Sequence, residues 1–261
     1  MGDHIGMKRV LLVVAYDGTD YHGWQLQQNG KTIESELNTH LSELLNETIK
    51  VSGASRTDAG VHALCNLAVF DTNSRIPGDK VSYALNQRLP EDIRIRKSLE
   101  VANDFHPRFV ETIKTYQYSI INDKFPIPTK RLYSHFTYYP LDIEKMQQAA
   151  NYLIGIHDFK SFCSIHTETE STIREITEIK VSKVNNEILI QVSGKGFLYN
   201  MVRIIAGTLM EAGQSFYEPE HVKEILEQLD REAAGPTAPA KGLMLINYRF
   251  LENNYLGEIF S

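Results

Sequence analysis

The segment Lys8 to Tyr16, KRVLLVVAY, constrains the fold more than any other stretch. It is a nearly unbroken apolar run rich in β-branched residues, which is the pattern of a central strand. Thr32 then caps a helix, with Glu34 and Glu36 in the first turn, where the helix dipole favours acidic groups. Ile33, Leu37, Leu41, Leu44 and Leu45 mark its buried face. Thr48–Val51 alternates as a strand, and Leu64–Phe70 reads as another. Asp79–Leu89 is expected to be a second helix, and Asp92–Arg96 alternates as a fourth strand. The first half is therefore β-α-β-β-α-β, the order of a ferredoxin-like unit.

The second half repeats the plan. Lys114 to Ile121 reads as a strand, with Tyr116 and Tyr118 on one face because side chains alternate across the pleat. Asp142–Ile154 is expected to be a helix with Met146, Ala149, Ala150 and Leu153 on one side. Ile173–Val184 and Glu187–Ser193 form a hairpin turned at Asn185-Asn186. Phe197–Glu211, FLYNMVRIIAGTLME, is apolar almost all round and so belongs inside, with Arg203 as its one charge before Glu211. A helix at Glu220–Leu229, a loop at Ala233–Lys241 and a strand at Leu243–Phe250 complete the chain. Phe105-His106-Pro107-Arg108-Phe109 is a stiff, aromatic and basic link, which divides the chain into residues 1–105 and 106–261.

Several function classes fall away on composition. With 42% hydrophobic and 23% charged residues in 261, the chain has the make-up of a soluble globular protein. No apolar run approaches a membrane span, and the first residues lack a signal-peptide pattern, so a cytoplasmic location is expected. Cys65 and Cys163 lie in apolar surroundings without a C-x-x-C partner and read as buried thiols. The histidines form no ligand spacing, no phosphate loop or dinucleotide fingerprint occurs, and neither metal nor cofactor is expected. A net charge of −6 argues against nucleic acid only on average. Acidic residues crowd into 218–232, whereas Arg88, Arg94, Arg96, Lys97, Arg108, Lys114, Lys130 and Arg131 dominate the middle and offer a basic face to RNA phosphates.

The chemistry is expected in Ser52–Leu64, SGASRTDAGVHAL. Strand patterns flank it, and Asp58-Ala59-Gly60 is turn chemistry, with Gly60 free to take the positive φ of a tight reversal. On residue types alone this is a solvated hairpin loop bearing an Arg and an Asp. However, Arg56-Thr57-Asp58-Ala59-Gly60-Val61-His62-Ala63 resembles the catalytic motif of the tRNA pseudouridine synthase A family. The similarity recurs in Tyr16-Asp17-Gly18-Thr19 with Gly23-Trp24-Gln25, in Phe105–Phe109, in Lys114-Thr115-Tyr116-Gln117-Tyr118, in Met201-Val202-Arg203 and in the loop leading to Leu243. Six separated motifs in one order are far more specific than any single one. The family usually has Gly where this chain has Ser55; an extended Ala54-Ser55 is expected to absorb the change at small cost.

The resemblance implies an α+β fold in which two ferredoxin-like halves join into one large, mostly antiparallel sheet flanked by helices. It implies isomerisation of uridine to pseudouridine at positions 38, 39 and 40 in the anticodon stem and loop of tRNA, by a homodimer. Asp58 would be the catalytic carboxylate, and Arg203 would keep it ionised and oriented. Tyr116 and Leu243 would lie against the target base, and Arg56, His62 and Arg108 would contact substrate. The base must leave its stack to be reached, so aromatic and apolar walls are expected. A nucleobase deaminase also flips bases, but it would need H-x-E and P-C-x-x-C sets, which are missing. A non-catalytic RNA-binding protein fits poorly with Asp58, Tyr116 and Arg203 together.

Overall fold

Lys8–Tyr16 forms the first strand (β1) as its apolar pattern requires, and Val10 through Val14 are buried on both faces. The computed structural model describes residues 6–165 and 169–251. It divides into two compact units, Met1–Glu111 with Phe250–Ser261, and Thr112–Arg249.

In the first unit, β1 is followed by α1 (Ile33–Leu45), β2 (Ser52–Gly53), β3 (His62–Thr72), α2 (Val81–Leu85) and β4 (Ile93–Val101). β1 lies between β4 and β3, antiparallel to both, and β2 adds to β3 through Ser52 opposite Val69 and Gly53 opposite Ala68. The strand order is that of a ferredoxin-like unit. α1 begins where expected. The Thr32 hydroxyl accepts from the Ser35 amide, and the Ser35 hydroxyl oxygen accepts from the Thr32 amide, so two orphan donors of the first turn are met reciprocally.

Two expectations here are corrected. Residues 48–51 are not a strand, because their amides go to the helix: Ile49 N–H donates to Ser42 Oγ and Val51 N–H to Asn38 Oδ1. The second helix is shorter than Asp79–Leu89. It is a 3-10 turn at Gly78–Lys80 and one α-turn at Val81–Leu85. Asn86 ends it, because its side chain both donates to and accepts from the Ile95 backbone at 2.8 and 2.7 Å and so belongs to β4.

The second unit holds β5 (Thr112–Asn122), β6 (His135–Thr137), α3 (Ile143–Asn151), β7 (Gly155–Asp158), β8 (Ile173–Val184), β9 (Glu187–Gly194), α4 (Met201–Gly213), α5 (His221–Gln228) and β10 (Leu243–Phe250). Its strands run β10-β5-β9-β8-β7, with β6 parallel on β5. Without the short β6 and β7, which have no periodicity to betray them, this is the same order as in the first unit. The hairpin turns at Asn185-Asn186 as expected, with Asn185 in the left-handed region at φ 55°.

α4 is buried nearly all round, but it starts four residues later than expected. Asn200 sits at φ 60° and breaks the helical path, which excludes Phe197 and Leu198. With ten strands and five α-helices among the described residues, the class is α+β. Among those residues no helix is long and apolar enough to cross a membrane.

Candidate active site

The stretch from Ser52 to Val61 is built as a loop with a buried underside. Ala54, Ser55, Thr57 and Val61 are buried, Asp58 is half-buried, and Arg56 and Ala59 are exposed. Gly60 takes φ +78° to turn the chain, as its position after Asp58 requires. Ser55 is not among the residues in the left-handed region, so a serine fits this position without backbone strain.

The only tryptophan supports the loop from beneath. The Trp24 indole is 2% exposed, its ring is 5.9 Å from Tyr16, and its amide donates to the Thr57 carbonyl at 3.0 Å. A Cβ on Gly53 would lie 2.2 Å from Trp24 Nε1, so the indole fills the space that only a glycine leaves. The indole is thus packed inside and is not an aromatic surface. His62, expected to contact substrate, is 2% exposed. Its Nδ1 lies 3.0 Å from the Gly18 amide and 3.1 Å from Asp17 Oδ1, where it ties the turn after β1 to the start of β3.

Arg108 meets the same stretch from the other end. One of its terminal nitrogens donates to the Gly53 carbonyl at 2.8 Å, and His106 Nε2 lies 2.9 Å from Ser52 Oγ. Phe105–Phe109 is therefore part of the first unit and clamps β2. Burial, aided by Arg108 and Arg9, lowers the His106 pKa below its usual value.

Four candidates of the sequence, Arg56, Asp58, His62 and Arg108, lie in the first unit; Tyr116, Arg203 and Leu243 lie in the second. Tyr116 is 8% exposed and meets Phe197 edge-on at 5.1 Å. Tyr118, two residues on along β5, is fully buried and donates to the Pro239 carbonyl at 2.8 Å. Burial raises its phenol pKa and the nearby Arg203 charge opposes the rise. Arg203 is half-buried on the first turn of α4. Its Nε donates to the Ala238 carbonyl at 2.7 Å and Nη1 to Asn200 Oδ1 at 2.9 Å. Ala238 N–H donates back to the Arg203 carbonyl, so residues 235–239 lie on α4 rather than running freely over the surface. Leu243 opens β10 and is buried.

The basic middle of the chain is partly committed to structure. Arg94 donates to the carbonyls of Pro90 and Ile93, and Lys130 pairs with Glu187 at 3.1 Å. Arg88, Arg96 and Arg131 are exposed.

Comparison with known proteins shows what this arrangement belongs to. The tRNA pseudouridine synthase family matches residues 12–110 and 149–251. The chain belongs to that family. A tRNA pseudouridine synthase A of Acetivibrio thermocellus is 45% identical over 240 residues, which cover 92% of this chain and 98% of that protein. One of Brevibacillus brevis is 47% identical over 239 residues, with the same coverage. Among solved structures, an archaeal box H/ACA sRNP Nop10–Cbf5 complex aligns with 90% of this chain and 61% of that one. Its identity is 10% and its TM-score 0.39, a likeness too loose to build on.

As a pseudouridine synthase the protein is an isomerase of uridine in RNA. The sequence reading passed over one polar group beneath the loop of this synthase. Asn66 is fully buried and donates to the Ser55 carbonyl at 2.9 Å. The signal was a lone amide inside the apolar strand Leu64–Phe70.

Proposed function

We propose that this synthase converts uridine to pseudouridine at positions 38, 39 and 40 in the anticodon stem and loop of tRNA, with Asp58 as the catalytic carboxylate. The reaction breaks N1–C1′, turns the base and joins C5 to C1′. N1 gains a proton and C5 loses one, so neither an oxidant nor an energy source is needed. A carboxylate at the sugar or the ring is the natural agent for that exchange.

The observation that carries this reading is the half-buried Asp58 at the turn of a loop whose neighbours Ser55, Thr57 and Val61 are buried. The loop holds one acid, and as the catalytic carboxylate it would act on a nucleotide turned out of its stack. Exposed Arg56 is suited to a phosphate. Arg108 and His62 act mainly by holding the loop's two ends, a positioning role. The family resemblance gives Tyr116 and Leu243 the role of aromatic and apolar wall for the base, and Arg203 that of the cation that favours an ionised carboxylate. A cytoplasmic homodimer is the assembly that the family resemblance implies.

Release of tritium from C5-labelled uridine in tRNA tests the activity directly. Wild-type protein releases tritium from positions 38–40, and Asp58→Asn binds tRNA but releases none. Substantial release by Asp58→Asn would mean that another group supplies the catalytic carboxylate. Light scattering at micromolar concentration tests the assembly, for which the dimer mass is expected.

A further inference from the structure

Asn66 sits within β3 at 0% exposure, between Cys65 and Leu67, which are also buried. A buried primary amide is tolerable only when its oxygen and both N–H bonds are satisfied. All three are: Oδ1 accepts from the Leu67 amide at 2.9 Å, and Nδ2 donates to the Ser55 carbonyl at 2.9 Å and to the Tyr16 hydroxyl at 3.2 Å. The amide cannot be turned over, because Leu67 N–H can only donate and the Ser55 carbonyl can only accept. The Tyr16 oxygen therefore receives a hydrogen from Asn66 and is hydrogen-bonded in turn to Thr57 Oγ1, 2.6 Å away, a contact in which either hydroxyl can donate. Ser55, Thr57 and Tyr16 are all at most 7% exposed, so water does not compete for these bonds.

We propose that Asn66 is a positioning residue for the pseudouridine synthase reaction. It holds the Ser55 carbonyl directly and the Thr57 side chain through the Tyr16 hydroxyl, so the residues on both sides of Arg56, the second of them immediately before Asp58, are tied to one buried amide. The inference rests on the reading of Asp58 as the catalytic carboxylate. It adds that the placement of Asp58 depends on three buried side chains that do not touch RNA. A cluster kept for stability alone would, when cut, lower the melting temperature and leave the rate constant of each folded molecule unchanged. A positioning cluster lowers that rate constant and leaves RNA affinity alone, because small displacements of a reacting group are costly in rate.

The test is the single-turnover rate constant for tritium release, measured beside tRNA affinity by filter binding. Tyr16→Phe and Thr57→Val each remove one hydroxyl at nearly constant volume. Each is expected to slow the step by about ten- to a hundredfold with affinity changed by less than about twofold. Thr57→Ser, which restores the hydroxyl, recovers most of the rate. The double variant Tyr16→Phe/Thr57→Val is no slower than the slower single one, because both cut the same chain. Asn66→Asp keeps the acceptor for Leu67 but loses both donors and is slowed at least as much; if it fails to fold, the two hydroxyl variants decide. Full-speed turnover by Tyr16→Phe and Thr57→Val, multiplying effects in the double variant, or a loss confined to tRNA affinity overturns the proposal. Asp58→Asn in the same assay separates the two readings. If it is active, the assignment of Asp58 fails, whereas if it is inactive beside full-speed hydroxyl variants, only the positioning role fails.

Discussion

At the scale of single residues, what the sequence reveals depends on whether a side chain's role is local. Gly60 was legible because a turn after Asp58 demands a positive φ, and it has one. Trp24 was not, because an indole in a polar loop suits a surface and a core equally well until its neighbour is known. That neighbour is Gly53, remote along the chain but directly against the ring in space. Gly53→Ala is therefore expected to cost about 1–3 kcal/mol by overpacking, seen as a lower urea midpoint with an unchanged slope. Asn66 was missed for a similar reason: a polar residue in an apolar strand announces that it has partners, but Ser55 and Tyr16 can be named only from the fold. Ser55, the departure from the family's usual glycine, carries no backbone strain because it is outside the left-handed region, and its carbonyl has a donor.

At the scale of elements, strong periodicity located the long pieces and failed on the short ones. β1 and β10 and the β8–β9 hairpin lie where alternation or apolar runs put them. Residues 48–51 alternate like a strand but give their amides to Ser42 and Asn38 of α1, a choice between partners that pattern cannot see. The starts of α1 and α4 make a contrast. Thr32 accepts from the Ser35 amide and fixes the first turn, while Asn200 is left-handed and gives its side-chain oxygen to Arg203 instead of capping. Thr32→Ala is expected to lower stability by about 1 kcal/mol, measured by chemical denaturation. Thr32→Ser should retain most of it, since the hydroxyl is what the Ser35 amide needs.

At the scale of the molecule, charge links stability to pH. His106 and His135 both have pKa values below the usual 6.5, His106 chiefly through burial with Arg108 and Arg9, His135 through burial with Lys241. A lowered folded value means the unfolded chain takes those protons more readily, so stability is complete above pH 6.5 and falls as pH drops through the folded values. Denaturant midpoints measured between about pH 5 and 7.5 should rise and then level off, and His135→Gln should flatten the rise. A second loss follows at lower pH. The Arg9 fork, with Nε on Oδ1 at 2.7 Å and Nη2 on Oδ2 at 2.8 Å, lowers the Asp71 pKa below its usual 3.8 and that stabilisation disappears as Asp71 is protonated. The two cysteines, which their apolar neighbours mark as buried thiols, are both buried. Cys65 is in the first unit and Cys163 in the second, and burial pushes the Cys65 thiol up to about 12. At neutral pH an alkylating reagent finds almost no thiolate at Cys65 until the first unit opens. Each unit thus carries its own chemical clock: peptide mapping after timed alkylation would give separate opening rates for the two, from the unaltered chain and without a dye.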